Sequence, residues 1–215
     1  DEELHFFIGK DGVFSSIFDF KQTMLGQEGK GWFDHALPTA DELKESIFKA
    51  HERADSIGVL STIIENHDEP RGVSHYIAEG PVNDTSKKAL GTIQVLRKGI
   101  PFIYQGQEIG MENQVFESVE DFDDIATING YHVAKEAGLT EEEALAAIAK
   151  YSRDNARTPM QWSAEPGLGF SDGSAWLISP KPDVAINVED QEKDPNSILN
   201  YYRQLTALYR HPLDR

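Results

Sequence analysis

Three short apolar segments, separated by helical patterns, constrain the fold of this chain most strongly. Residues 59–64 (VLSTII) and 100–104 (IPFIY) are rich in β-branched and aromatic side chains and are too short for helices. Their nearly continuous apolar character is typical of strands that are covered on both faces, as in parallel sheets. Residues 13–20 (VFSSIFDF) are predicted to form a further strand, which follows Gly12.

Amphipathic helices are predicted between and after these strands. Thr39 and Glu42 form a capping-box pattern, and apolar side chains then recur at helical spacing until Gly58. A second helix is predicted over 85–98 and a last one over 196–209. The alternation of strands and helices predicts an α/β protein with a parallel sheet.

A long excursion over 112–194 separates the third strand from the last helix. We expect it to be largely irregular, apart from an acidic helix over 140–151 whose run of glutamates suits a first helical turn. Loops of this length are uncommon in compact domains unless they serve a functional site. The excursion is therefore expected to cover a site.

The composition excludes several classes of protein. With 20 Lys and Arg against 37 Asp and Glu, the net charge is −17, which disfavours binding to nucleic acid or to an anionic membrane surface. The chain has no cysteine, so disulfides and thiolate metal sites are absent. No apolar run approaches the roughly 18 residues of a membrane span. A hydrophobic content of 39% is typical of a folded, water-soluble globular protein.

The densest group of reactive side chains follows the second strand, where α/β folds carry their sites. Residues 65–71 (ENHDEPR) offer three carboxylates, an imidazole and a guanidinium. Asp68 could act as an acid, a base or an electrostatic stabiliser, or could simply cap the following turn. A metal site made of Glu65, His67 and Asp68 is disfavoured, because adjacent residues of an extended chain point to opposite sides. We expect neither a metal ion nor a cofactor.

Two further segments are candidates for the same site. Residues 105–110 (QGQEIG) form a glycine-containing turn after the third strand, where Gln105 and Glu108 could bond sugar hydroxyls or merely brace the loop. Residues 152–162 (SRDNARTPMQW) offer arginines for bidentate contacts and Trp162 for stacking on a sugar. An internal Arg–Asp brace is the simpler alternative for this segment.

The motifs 66–68 (NHD), 104–111 (YQGQEIGM) and 153–162 (RDNARTPMQW) occur in an order that is specific to one family. Together they resemble the alpha-amylase superfamily of glycoside hydrolases (family 13), in the branch of alpha-glucosidases, oligo-1,6-glucosidases, dextran glucosidases and sucrose isomerases. Residues 194–198 (DPNSI) resemble the start of the last barrel helix in that branch. The resemblance implies a partial (β/α)8 barrel over 1–215, in which strands six to eight are present and the excursion 112–194 is a loop insertion after the last strand.

The resemblance also implies roles for individual side chains. The family is retaining, so one carboxylate attacks the anomeric carbon while a second protonates the leaving oxygen. Asp68 matches a third carboxylate, which grips the sugar's 2- and 3-hydroxyls in the transition state, and His67 matches the neighbouring histidine that contacts the sugar. Arg157 resembles an arginine that pairs with an acidic residue from early in the barrel and helps to hold the non-reducing glucose. Glu65 and Arg71 are expected to line neighbouring subsites.

The sequence departs from the family pattern in three respects. The motifs of the nucleophile and the general acid, which follow strands four and five, have no match here, so we expect the chain alone to be nearly inactive. Because it begins at Asp1 without Met, we expect it to be a segment of something longer. Gln107 stands where many relatives have Glu, and His75 stands where Arg is frequent. We expect the second change to affect an acceptor subsite.

The resemblance therefore implies part of a cytoplasmic alpha-glucosidase that acts on short alpha-1,6- or alpha-1,4-linked gluco-oligosaccharides. A sucrose isomerase or transglucosylase is the alternative with the same chemistry. A non-catalytic barrel, like the heavy-chain ectodomain of amino-acid transporters, is disfavoured because the 66–68 motif and Arg157 are intact. The expected partner is an oligosaccharide. Self-association is also expected of the chain alone, because three strands leave two open sheet edges.

Overall fold

Three short parallel strands form the centre of the molecule. The computed structural model describes residues 2–27, 29–77, 81–177 and 186–210. Within them the sheet has the order β1–β2–β3, with β1 at Ile17–Phe18, β2 at Leu60–Thr62 and β3 at Ile100–Pro101. The strands are parallel, with Ile17 opposite Leu60 and Ser61 opposite Ile100. The predicted α/β class with a parallel sheet is therefore confirmed.

Each strand is shorter than the apolar segment that predicted it. A residue is assigned to a strand only where its backbone pairs with a neighbouring strand. The apolar pattern reflects burial and an extended backbone, so it reaches further along the chain. The N–H of Phe102 still donates to the carbonyl of Thr62 at 2.9 Å. The extended path of the third segment thus continues one residue beyond β3.

The helices of the described ranges surround this sheet and fill the excursion. They are α1 (Glu2–Ile8), α2 (Ala40–Ala54), α3 (Gly72–Tyr76), α4 (Asp84–Leu96), α5 (Ile125–Glu136), α6 (Glu141–Tyr151), α7 (Val188–Lys193) and α8 (Ile198–Arg210). Short 3₁₀ turns lie at Lys21–Met24, Trp32–Asp34, Gln107–Ile109, Val119–Asp121, Arg153–Arg157 and Pro166–Gly169. The predicted helices α2, α4, α6 and α8 are confirmed, whereas α1, α3, α5 and α7 were not predicted.

Local capping explains where the predicted helices begin. The N–H of Glu42 donates to Thr39 Oγ1 at 3.2 Å, and the N–H of Thr39 donates to Glu42 Oε2 at 2.8 Å, so the predicted capping box is formed. Helix α4 begins one residue earlier than predicted, because Asn83 accepts a bond from the N–H of Ser86. Both helices therefore have fixed starts on either side of β2.

Close packing of α4 against α8 stabilises the loop that follows β3. Val95 of α4 packs in one cluster with Ile198, Tyr202 and Leu205 of α8. Gly91 permits this approach, since a Cβ at its position would lie 2.7 Å from the ring of Tyr202. The helix pair thereby forms a rigid wall beside the carboxyl end of β3.

The excursion over 112–194 is folded rather than largely irregular, as far as the structure describes it. Phe116 and Phe122 pack against Ile148, and α5 lies against α6. Helix α5 was missed because its apolar residues do not form one clear stripe, while Asp124 caps its first turn. The Tyr104 hydroxyl joins the excursion to the sheet by donating to the carbonyl of Ala156 at 3.1 Å.

Candidate functional site

A cavity of about 500 Å³ opens at the carboxyl ends of the three strands. Its apolar wall comes from Phe18, Phe20 and Phe102, and its polar wall runs from Asn66 through Asp68. The segment after β2, which the sequence singled out, therefore faces a cavity. The size is within the range of small-ligand pockets.

Asp68 is the carboxylate on which the polar groups of this cavity converge. Its Oδ1 accepts bonds from Arg153 Nη1 and Arg157 Nη2, both at 3.1 Å. Its Oδ2 lies 3.3 Å from His67 Nε2. The N–H of Asp68 donates to Asn66 Oδ1 at 2.7 Å, which fixes the turn after β2. The Asp68 side chain remains 52% exposed, so it is accessible to a ligand.

The structure brings together three of the five side chains predicted to form the site. Arg157 Nε donates to the carbonyl of His67 at 2.9 Å, in addition to its bond with Asp68. The His67 ring is largely exposed on the cavity side, next to the carboxylate. Two segments that are far apart in the chain thus meet at Asp68. The roles of the three residues towards a sugar stay predictions.

Glu65 lies in the cavity wall but is almost fully buried, and Arg71 lies behind it. Both side chains are only 1% exposed, and Arg71 Nη1 lies 3.1 Å from Glu65 Oε1. Arg71 also donates to the carbonyls of Gln105 at 2.7 Å and Asn155 at 3.3 Å. Burial raises the pKa of the Glu65 carboxyl, while the guanidinium and the N–H of Gly72 oppose that rise. The pair ties three loops together, and its place beside sugar subsites stays a prediction.

The turn after β3 matches the bracing alternative of the sequence prediction. Gly106 has a left-handed backbone with φ 89°, and its N–H donates to Glu108 Oε2 at 2.8 Å. The buried Gln107 amide donates to Gln94 Oε1 and to the Tyr202 hydroxyl, the latter at 2.9 Å. This glutamine therefore connects the turn to α4 and α8.

His75 is buried in the core and is not among the residues that line the cavity. It is 4% exposed, its ring contacts Tyr76 edge-on at 4.6 Å, and its two nitrogens have no hydrogen-bond partner among the described residues. Burial lowers its pKa to about 4. The expected effect of His75 on an acceptor subsite stays a prediction.

The segment 152–162 was predicted to offer arginines or an internal Arg–Asp brace, but the buried partner of Arg153, Asp124, was not predicted. Arg153 lies 2.7 Å from Asp124, and Arg157 lies 3.7 Å from Asp154. The presence of both arginines in one motif was a usable signal that they belong to one site, although the 3₁₀ turn that they form sets no shared direction at a spacing of four. The pattern Asp124-x-x-Thr127 was also visible as a helix start, although nothing in it identifies the partner Arg153.

Glu69 is a further carboxyl of the cavity that sequence reasoning did not single out. Burial raises its pKa to about 7, and the adjacent Asp68 adds to the rise. Within the described residues, no group of three or more acidic or histidine side chains is arranged to hold a metal ion. The helices of the same ranges are too short or too polar to cross a membrane.

The family of the chain follows from comparison with known proteins. The catalytic domain of alpha-amylase matches residues 6–212, and the chain therefore belongs to this TIM-barrel family. A probable oligo-1,6-glucosidase 2 of Bacillus subtilis (strain 168) is 40% identical over 92% of this chain and 36% of its own length. The glucan 1,6-alpha-glucosidase of Streptococcus pneumoniae serotype 4 is 37% identical over 90% of this chain and 37% of its own length.

Solved structures give the same picture. An isomaltulose synthase from Klebsiella sp. LX3 superposes with a TM-score of 0.88 at 32% identity, covering 97% of this chain and 39% of that chain. The trehalulose synthase MutB from Pseudomonas mesoacidophila MX-45 gives 0.88 at 33% identity, covering 98% and 38%. The chain thus spans somewhat more than a third of the proteins that it matches. The resemblance that the three motifs indicated is confirmed.

Proposed function

We propose that this chain is part of the catalytic domain of a retaining alpha-glucosidase that cleaves alpha-1,6 or alpha-1,4 linkages of short gluco-oligosaccharides. The observation that carries the proposal is the Asp68 carboxylate at the end of β2, beside His67 and bonded to two arginines from the excursion. The similarity to oligo-1,6-glucosidases and to a glucan 1,6-alpha-glucosidase supports it. On the family resemblance alone, we place the enzyme in the cytoplasm.

In this proposal the whole of 1–215 supplies strands six to eight of the barrel, with 112–194 as an insertion after the last of them. Exposed aromatic side chains beside the sheet support a sheet that continues on further strands. Phe18, Phe20 and Phe102 are 40–50% exposed, and the rings of Phe18 and Phe102 meet at 4.8 Å. Apolar side chains at this position fill the interior of a closed barrel. By itself the chain is expected to associate through these surfaces and its two open sheet edges.

The proposed chemistry gives Asp68 an electrostatic role. Glycosyl transfer passes through an oxocarbenium-like transition state, and hydrogen bonds to the 2-hydroxyl strengthen as positive charge develops. Asp68 Oδ2 and the His67 ring offer such bonds from one side of the cavity, and Arg157 holds the same sugar. The nucleophile and the general acid would come from the barrel strands that this sequence does not match. An uncharged oligosaccharide also suits a chain with a net charge of −17.

Sucrose isomerisation is the second candidate, because an isomaltulose synthase and a trehalulose synthase are among the structural neighbours. The two reactions share the glucosyl–enzyme step and differ in the acceptor, which is water in one and a fructose hydroxyl in the other. The higher identity to oligo-1,6-glucosidases favours hydrolysis.

The test uses the enzyme from the complete reading frame that contains these 215 residues. We expect release of glucose from isomaltose, maltose or 4-nitrophenyl alpha-glucoside, and a fall of about 10²–10³-fold in kcat for Asp68→Asn, by analogy with removal of one transition-state contact. Isomaltulose or trehalulose from sucrose would favour the second candidate. No turnover of any of these substrates would contradict both and favour a non-catalytic barrel. Turnover by the 215-residue chain alone at the rate of the intact enzyme would contradict the assignment of the missing groups.

A further inference from the structure

The two arginines that share Asp68 Oδ1 are held in different ways. Arg153 Nε and Nη2 both lie 2.7 Å from Asp124 Oδ1. The nearest carboxylate oxygen to Arg157, apart from Asp68, is Asp154 Oδ1 at 3.7 Å, which has no hydrogen-bond partner among the described residues. Arg153 is therefore anchored on a buried carboxylate behind it, whereas Arg157 is held on the cavity side, by Asp68 and by the carbonyl of His67.

The anchor of Arg153 is itself fixed by the excursion. The Asp124 side chain is 1% exposed, and its Oδ2 accepts bonds from the N–H and the hydroxyl of Thr127 at 3.0 and 2.7 Å. The N–H of Asp124 donates to Asp154 Oδ2 at 2.8 Å. Burial pushes the pKa of Asp124 upwards, but the bonds from Arg153 and Thr127 outweigh it and leave the pKa below its ordinary value. Asp124 is thus an ionised acceptor in a rigid setting.

The division of Asp68 into a held oxygen and a free one follows from these contacts. Oδ1 already accepts two guanidinium bonds, while Oδ2 has only the exposed His67 ring beside it. A carboxylate that must grip two sugar hydroxyls needs its rotation fixed before the substrate arrives, since small displacements of a catalytic group are costly. The Arg153–Asp124 contact supplies such a constraint without using a substrate-facing atom.

We propose that Arg153 is a positioning residue that fixes Asp68 through Asp124. This inference rests on the proposed glucosidase function. Arg153 and Asp68 are partly exposed to solvent, so their ion pair adds little to folding stability. Arg153 also neutralises the buried Asp124 carboxylate, so its replacement is expected to cost stability as well, and kcat is compared between variants that are folded under the assay conditions.

The experiment compares four variants of the intact enzyme on 4-nitrophenyl alpha-glucoside. Arg153→Gln should lower kcat by about 10–100-fold and change KM by less than about threefold, because the group acts on positioning and does not touch substrate. Arg153→Lys should recover only part of the loss, since an ammonium cannot bridge the two carboxylates as a planar fork does. Arg157→Gln should instead raise KM. Arg203→Gln, which breaks an exposed pair with Glu192, is the matched control and should behave as wild type.

A double-mutant cycle tests the route through Asp124. Asp124→Asn should reproduce the kcat loss of Arg153→Gln, and the double variant should be no worse than the poorer single variant, because both remove one constraint. Wild-type kcat in Arg153→Gln, or fully additive losses in the cycle, would overturn the inference while leaving the glucosidase function intact. A wild-type enzyme without activity on any alpha-glucoside would overturn the function and this inference together. If Arg153→Gln does not fold, Arg153→Lys decides by the same kcat criterion.

Discussion

Replacement of Arg71, whose guanidinium is buried behind the cavity wall, should lower the stability of the fold more than any other single change proposed below. In Arg71→Met the side chain keeps a similar length but loses its charge and its bonds to Glu65, Gln105 and Asn155. Glu65 would then be a carboxylate at 1% exposure with no cation beside it. Breaking a buried ion pair by removing one partner costs about 3–5 kcal/mol. We expect a loss of this size in the free energy of unfolding.

The assay is urea-induced unfolding, followed by tryptophan fluorescence at matched protein concentration. Arg203→Met is the control, because its pair with Glu192 has the same ion types but is about half exposed on both sides. An exposed pair contributes about 0–1 kcal/mol, so the control should unfold close to wild type. Equal midpoints for Arg71→Met and Arg203→Met would refute the argument from burial.

A second variant separates the stranded charge from the lost contacts. In the double variant Glu65→Gln/Arg71→Met, the buried group is a neutral amide, which needs much less compensation than a carboxylate. The double variant should therefore be more stable than Arg71→Met, although it carries one more substitution. If the two losses simply add, the penalty does not come from an uncompensated charge.

Three smaller changes follow from groups outside the proposed chemistry. Because the pKa of Glu69 is raised from 4.5 to about 7, its folded-state protonation favours the native state at low pH and this contribution is lost as pH rises through about 7. In Glu69→Gln the urea midpoint should therefore decrease less between pH 4.5 and pH 7 than in the wild-type protein. The pKa of His75 is lowered from 6.5 to about 4, so its neutral form favours folding above pH 6.5 and this contribution is lost as pH falls towards 4. In His75→Phe the thermal midpoint should therefore depend less on pH in the acid range. An unchanged pH profile would contradict the buried, unpartnered position of the ring. Gly91→Ala places a Cβ 2.7 Å from the Tyr202 ring and should lower stability by about 1–3 kcal/mol through overpacking. Gly130→Ala is the control, because Gly130 is also helical and its nearest neighbouring atom would lie 3.4 Å from the new Cβ.

Local signals predicted the sheet and its flanking helices, because those elements depend on neighbours in sequence. The strand at Leu60–Thr62 and the capping box of Thr39 and Glu42 are both determined within a few residues. Helix α5 was missed for the complementary reason. Its position depends on the cap at Asp124 and on packing against α6, and neither creates an apolar stripe in its own sequence.

The rule of strand ends pointed to the segment that faces the cavity, but the sequence did not reveal which of its side chains are buried and which are exposed. Glu65 and Asp68 lie three residues apart in one charged run, yet the first side chain is 1% exposed and the second 52% exposed. The difference arises from Arg71, whose guanidinium is fixed by carbonyls that lie 34 and 84 residues further along the chain. Pairing over such separations leaves no trace in a single sequence. The same holds for Arg153, whose two partners come from β2 and α5.

These long-range pairs explain why the excursion is folded although its residues do not form the wall of the cavity. The cavity wall comes from the strand ends, and the excursion reaches Asp68 only through Arg153 and Arg157. Each arginine has a buried aspartate of the excursion behind it, and both aspartates lie against the first turn of α5. A long irregular loop could also supply two positive charges. The entropic cost of ordering them would then reduce the binding free energy of each substrate. A helix with a fixed start, on a core of its own, orders the guanidinium groups in advance. The length of the excursion is therefore explained by its role in holding Arg153 and Arg157 in place, and not by a role in covering the cavity.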